Sequence, residues 1–302
     1  MKILKIVAVV LVAAIALGAV GYGIYCKMEK IDFGEIVLSD IPEKDDDSVR
    51  VMSFNLRCKS DPEGSIRNRS QIATEVIAQY APDSFGVQEA NAKWLRIVDK
   101  AVGDKYDRVG EPRDRFGPFA EYSAVYYLKD KYNVLDSGTI WLSETPEKKY
   151  SGSFDTACLR IATWAVLEDK ETGVTYTHIN THLDHVLEST RVGQAGVLIT
   201  KVKELSKNGN FVCTGDFNAY EDSEVYAEML KVSDDAKLIA ENSDDGITYH
   251  SYGKIEEHGK GAIDFIFVSK GNDVDTYKII RDTVMDMYPS DHYPIIADIE
   301  FE

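Results

Sequence analysis

Apolar positions recur along this chain in distinct rhythms, and each rhythm predicts a different element. From Ile6 to Tyr25 no charged residue occurs. Wound as a helix at about 1.5 Å per residue, that run would reach roughly 30 Å, enough to cross a bilayer. Lys2 and Lys5 precede it, and Lys27 and Lys30 follow it. The pattern predicts a signal anchor or transmembrane segment over residues 1–30, because the run exceeds the usual apolar core of a cleaved signal peptide. It implies a single-pass cell-membrane protein with its remaining chain outside the cytoplasm. The alternative is secretion after cleavage near Ala19 and Gly21. Residues 31–48 have little periodicity and end in Glu43-Lys44-Asp45-Asp46-Asp47, which reads as an acidic, solvated tether.

From residue 49 the rhythm alternates between the strand and helix periods. Residues 50–56, 84–87, 122–128, 134–142, 161–168, 174–182, 210–214, 262–268, 277–281 and 293–299 read as strands, with a hairpin across Asp169-Lys170-Glu171-Thr172-Gly173. Ile72, Ala73, Val76, Ile77 and Tyr80 form a helical stripe within 66–80 that Pro82 ends. Residues 92–102, 188–206 and 223–230 also read as helices, the second with Val192, Ala195, Leu198, Ile199, Val202 and Leu205 on one face. Many strands and few helices in mixed order predict a single α/β domain over residues 49–302, built on mixed sheets in layers.

Composition adds a constraint on partners. Of 302 residues, 51 are acidic and 34 basic, a net charge of −17. The first 30 residues hold four lysines and one glutamate, so the rest of the chain carries −20. Nucleic acid is bound chiefly by Lys and Arg neutralising phosphates, so this balance disfavours a long nucleic-acid track. It suits a small substrate, or carboxylates clustered round a cation. Cys58, Cys158 and Cys213 follow the apolar run without a C-x-x-C pair, and read as buried small residues rather than a zinc or redox motif.

The candidate chemistry collects at strand ends, where loops on a layered scaffold carry function. Asn55 closes the first strand and Glu89 follows the second. Asn180 and His182 end the hairpin, Asp216 and Asn218 follow Phe211-Val212-Cys213-Thr214-Gly215, and Asp291-His292 precede the last strand. Each alone has an ordinary explanation as a cap, a turn or a packed imidazole. Their joint occurrence, in order, is what carries information.

Ser-Phe-Asn55-Leu-Arg, Gly-Val-Gln-Glu89-Ala, Asn180-Thr-His-Leu-Asp-His185, Gly-Asp216-Phe-Asn218-Ala, Ile-Asp264-Phe-Ile-Phe-Val and Ser-Asp291-His292-Tyr-Pro resemble the signature set of the endonuclease/exonuclease/phosphatase superfamily. Trp141-Leu-Ser-Glu-Thr-Pro and Arg160-Ile-Ala-Thr-Trp164 resemble its bacterial, deadenylase-like branch of metal-dependent hydrolases. The resemblance spans nearly all of the chain after residue 48. It implies a four-layer sandwich of two packed mixed β-sheets flanked by helices, and a hydrolase of phosphoesters. Asn55, Glu89 and Asp291 would be the hard oxygen ligands of Mg²⁺ or Mn²⁺. Asp216 and Asn218 would orient or deprotonate the attacking water, and His292 would contact the phosphate or serve as the base. Asp264 would orient His292, and His182 would be the general acid, backed by Glu121. Asp184, His185 and His250 fall in the same loops and could shape the pocket, and Arg160, at a strand edge, could contact a second anionic group. The expected partner is a small, sugar, inositol or lipid-type phosphoester, and the expected state a monomer. A nuclease of the same superfamily is the alternative, and an inactive binding protein on the same fold a third reading that the full residue set counts against.

Overall fold

A computed structural model of the chain describes residues 31–256 and 260–301. The expected anchor over residues 1–30 lies outside the described residues, and among those described no helix is long and apolar enough to cross a membrane. The chain divides into two units, Met1–Glu35 and Ile36–Glu302. In the first, the described residues form no regular element, and the Gly34 N–H donates to Asp32 Oδ1 at 3.0 Å.

The second unit forms, in order, β1 (Val49–Asn55), α1 (Ile66–Tyr80), β2 (Ser84–Asn91), α2 (Ala92–Val102), β3 (Tyr106–Val109), β4 (Glu121–Leu128), β5 (Tyr132–Trp141), β6 (Ile161–Asp169) and β7 (Thr175–His182). It continues with α3 (Glu188–Leu205), β8 (Asn210–Asp216), α4 (Glu224–Leu230), β9 (Asp234–Asp235), α5 (Ala236–Ile239), β10 (Asn242–Ser243), β11 (Asp264–Val268), β12 (Asp273–Ile279) and β13 (Ile295–Glu300). One sheet has the order β10-β12-β13-β1-β2-β4-β3, the other β5-β6-β7-β8-β11-β9. β1 is buried at every position, as a central strand covered on both faces must be. It runs parallel to β2 and antiparallel to β13. In the other sheet β7 runs parallel to β8 and antiparallel to β6. Parallel neighbours need a crossover, which α1 and α3 supply.

Three apolar clusters order the layers. Val51, Val125 and Ala297 of the first sheet meet Ala165, Val212 and Ile266 of the second between the two sheets. Val76, Ile77, Trp94 and Val98 of α1 and α2 cover the outer face of the first sheet. Leu198, Val202 and Met229 of α3 and α4 cover the second. The result is an α/β fold of two packed mixed sheets flanked by helices.

Local chemistry sets the ends. The Ser65 hydroxyl caps α1 at Asn68 N, and Ala81, left-handed at φ 46°, closes it ahead of Pro82. Asn91 caps α2 by accepting from Lys93 N and Trp94 N. β13 starts at Ile295 rather than 293 because Pro294 has no N–H to give, although its carbonyl still accepts from Ile280 N at 2.8 Å. β3, β9, β10 and α5 are two to four residues long, too short for the periodicity that revealed the rest. The stretch read as a solvated tether is laid along the domain from Ile36 onward. Gln79 brackets the Ile36 carbonyl and the Leu38 N–H at 2.7 and 3.1 Å, Arg50 Nη2 donates to the Pro42 carbonyl at 2.9 Å, and Lys44 pairs with Asp83 at 2.8 Å.

Candidate active site

Both crossover units deliver polar side chains to the same end of the molecule. Asn55 lies at the C-terminal end of β1, Glu89 near that of β2, His182 at that of β7 and Asp216 at that of β8. The carboxyl ends of parallel strands are where open α/β sheets build their sites. β11 enters antiparallel beside β8, setting Asp264 opposite Asp216, and the loop before β13 adds Asp291 and His292. These residues other than Asn55 and Asp264 line one cleft of about 490 Å³, together with Arg57, Arg113, Arg160 and Tyr249. Asp264 is buried behind His292, and Asn55 behind Asp216.

At the centre is a chain of charged contacts. Asp264 Oδ2 lies 2.8 Å from His292 Nδ1, and Asp216 Oδ2 lies 3.8 Å from His292 Nε2. Burial pulls the His292 imidazole down, but the two carboxylates outweigh it and push it up to about 10. It is an imidazolium with its free edge toward Asp216. Asp216 is pushed up to about 7, first by burial and then by the charge of Asp264. Its Oδ1 accepts from Asn218 N and its Oδ2 from Asn55 Nδ2, each at 2.9 Å. His182 Nε2 sits 3.0 Å from Asn218 Nδ2 and 3.4 Å from Asp216 Oδ2. Burial, then the charges of Arg160 and Arg113, hold His182 neutral.

Beside this centre lie the expected metal ligands. Glu89 occupies a left-handed conformation at φ 55°, where the β2–β4 register shifts between Val87 and Ala90. The irregularity re-aims a side chain that a regular strand would direct elsewhere. Burial pushes the Glu89 carboxyl up, but the Cys58 N–H at 2.9 Å, the Cys58 thiol and the Arg57 charge bring it below the usual range. Asp291 accepts from Ser290 Oγ at 3.3 Å and lies 3.4 Å from Arg57 Nε. Burial and the charge of Glu89 raise it against the pull of His292 and Arg57. The carboxylates of half-buried Glu89 and buried Asp291, the second raised by the charge of the first, are hard oxygen donors of the kind that fits a divalent cation such as Mg²⁺. Asn55 meets Glu89 Oε1 at 3.4 Å through its amide nitrogen, its Oδ1 being taken by the Arg57 N–H at 3.0 Å.

Other expectations are revised. The carboxylate of Glu121 is gripped by Arg113 at 2.8 and 2.9 Å, and the hydrogen bond of His182 goes to Asn218 instead. Asn180 is a bracket between the sheets: its Nδ2 donates to the Val87 and Ala124 carbonyls, both at 3.0 Å, and its Oδ1 accepts from Gln88 at 2.7 Å. Asp184 is fully buried and accepts from Ala157 N and Val186 N. His250 is stacked on Tyr293, 3.9 Å between centroids, outside the cleft. Cys58 and Cys158 are half-buried at the cleft, while Cys213 is in the core. Burial and the charges of Glu89 and Glu121 push the Cys58 thiol far up. Arg57, from the first motif, and Arg113 and Tyr249, unmarked by any pattern, complete the walls.

A family model described as the Endonuclease/Exonuclease/phosphatase family matches residues 52–292. The chain belongs to that family. Members of the endonuclease/exonuclease/phosphatase family are hydrolases of phosphoester bonds and are generally dependent on divalent metal. Among solved structures, an endonuclease/exonuclease/phosphatase from Bacteroides vulgatus is 35% identical, with 84% of this chain and 99% of that one covered and a TM-score of 0.78. The mannosyl-6-phosphatase Bt3783 of Bacteroides thetaiotaomicron is 30% identical over 84% and 100% of the two chains, TM-score 0.76. The human Nocturnin catalytic domain, solved with a bound sulfate, shares the fold at 20% identity, 84% and 94% coverage and a TM-score of 0.68. No curated protein matches the chain.

Proposed function

We propose that this family member is a Mg²⁺- or Mn²⁺-dependent phosphoesterase acting on a small phosphorylated molecule, with sugar phosphate monoesters its best-supported substrate class. One observation carries the reading: a buried Asp264–His292–Asp216 chain and the carboxylates of Glu89 and Asp291 converge on one cleft. A phosphoester is anionic and repels nucleophiles, so its hydrolysis needs positive charge, an oriented water and a stabilised leaving oxygen. Each has a candidate here. Asp216, held by Asn55 and Asn218, orients the attacking water and takes its proton. His292, kept cationic by Asp264, faces the phosphoryl oxygens, and the Asn218 amide steadies the same group. His182 stands beside Asn218 at the leaving oxygen. Glu89 and Asp291 would hold the cation, which supplies Lewis-acid polarisation of the phosphoryl group, while Asn55, expected as a third ligand, turns its amide nitrogen to Asp216 and Glu89 instead.

Two facts favour a small substrate. Arg57 is paired with Asp61 and Asp291, and Arg113 with Glu121, which leaves Lys59 and buried Arg160 as the cleft's unpaired cations among the described residues, too few for a polyanion track. A relative 30% identical over most of this chain is a sugar phosphatase by name. The uncharged run over Ile6–Tyr25 supports a membrane-anchored enzyme that works outside the cytoplasm. Hexose phosphates, bis-p-nitrophenyl phosphate and a single-stranded oligonucleotide, compared in one Mg²⁺ buffer, test the substrate class. The hexose phosphates should turn over fastest; an oligonucleotide cut faster than any of them would replace this reading with a nuclease.

A further inference from the structure

Arg160 stands just ahead of β6, where the β6–β7 register carries it alongside the His182 end of β7. Only 4% of it is exposed, yet it lines the cleft. Its Nη2 meets His185 Nδ1 at 3.2 Å, while its Nε and Nη1 are buried with no hydrogen-bond partner. Among the described residues it has no ion pair. The neighbouring carboxylates are committed elsewhere: Glu121 to Arg113, and Asp184 to Ala157 N, Thr156 Oγ1 and Val186 N at 2.9, 3.0 and 2.8 Å. A guanidinium cannot shed its charge, and a buried cation without a direct ion pair is costly; the charges of Glu121 and Asp184 reach Arg160 through space, but neither carboxylate bonds it. Arg57 and Arg113, the other arginines of the cleft, are both paired. Lys59, the remaining cation of the cleft, is exposed to solvent, so the buried positive charge without an ion pair lies at one point of the wall, beside exposed His185.

We propose that Arg160 and His185 form a second anion subsite in this cleft, so that the preferred substrate carries, besides its scissile phosphoester, another phosphate or a carboxylate. The proposal rests on the phosphoesterase reading above. It adds to it that the substrate is at least doubly anionic, with the second group on the portion that leaves past His182. Arginine suits either anion, through charge-assisted hydrogen bonds.

The full-length enzyme with Mg²⁺ is given three matched series of increasing chain length: alkyl monophosphates, α,ω-alkanediol bisphosphates and ω-carboxyalkyl phosphates. At one length a doubly anionic substrate should show a KM about tenfold below that of its monophosphate counterpart. Arg160→Gln should raise KM for that substrate about tenfold more than for the monophosphate, and Arg160→Lys should restore part of the difference. The carboxylate and bisphosphate series identify which anion is taken. Equal losses on singly and doubly anionic substrates would assign Arg160 to the scissile phosphate and overturn the subsite, as would no preference at any length. If no member of the three series and no hexose phosphate turns over, the phosphoesterase reading fails instead. The subsite is then judged by calorimetric binding of the bisphosphates to wild type and Arg160→Gln, and equal affinities would overturn it. Thermal unfolding of both variants confirms that each is folded.

Discussion

Asp216 and Asp264 face each other across the β8–β11 pair, and their surroundings give them different work. Asp264 is engaged by His292 at 2.8 Å. Asp216 faces an imidazolium and two amides without a strong ion pair, and is pushed up to about 7 by burial and by Asp264. Sequence order shows that both carboxylates exist; it does not show which imidazole each will meet. Glu121 illustrates the limit. It sits at the strand end expected of a partner for His182, but Arg113 arrives from a loop with no recognisable pattern and takes the carboxylate. Glu121→Gln should therefore leave kcat within about threefold of wild type and lower KM for an anionic substrate, because the Arg113 charge is released into the cleft. Steady-state kinetics on one phosphate monoester decide it: a fall in kcat of about 100-fold would return Glu121 to the role of orienting His182.

At the scale of elements, apolar runs and helical stripes made β1, α1, β7, α3 and β8 legible, because each buries a continuous face. The site follows from how these elements approach, which periodicity does not encode. Gly215 is an example. A Cβ there would come 2.5 Å from the Thr181 carbonyl, so only glycine lets β8 lie close enough to β7 to set Asp216 within 3.4 Å of His182. Gly215→Ala should cost about 1–3 kcal/mol of stability, as overpacking of a tight contact does. Its loss of turnover should exceed the loss of folded protein. Urea denaturation followed beside activity checks both, and a variant as stable and active as wild type would show that the strands can part without harm. Arg69 was equally hidden. Buried in α1, it donates to the carbonyls of Leu56, Arg57 and Lys59 at 2.6, 2.5 and 2.8 Å and to that of Pro289 at 3.2 Å. It thereby ties the loop after Asn55 to the loop before Asp291. Main-chain carbonyls leave no trace in a sequence pattern, so this brace emerges only in three dimensions.

For the whole molecule, the acidic surplus divides into a few buried carboxylates with work to do and a solvated majority. Acid should unfold the protein through a group far from the site. His178 lies between the sheets, 2.7 Å from Ser84 Oγ and 2.9 Å from Thr214 Oγ1, and burial pulls it down to about 3 from 6.5. It stays neutral in the folded chain, while the unfolded chain binds a proton below pH 6.5. Stability from this group is thus complete above pH 6.5 and falls by about 1.4 kcal/mol per pH unit from there toward pH 3. Urea titrations at about pH 7.5 and about pH 5.5 should show a shallower loss in His178→Gln than in wild type, and equal slopes would contradict this assignment. The central claim, metal-dependent phosphoester hydrolysis at Asp216, has a direct measurement: p-nitrophenyl phosphate turnover by the full-length protein with Mg²⁺ or Mn²⁺, before and after a chelator, in wild type and Asp216→Asn. The predicted result is turnover that the chelator abolishes and that Asp216→Asn lowers by about 100-fold or more in a protein that remains folded. Turnover that survives the chelator, or that persists undiminished in Asp216→Asn, would contradict it.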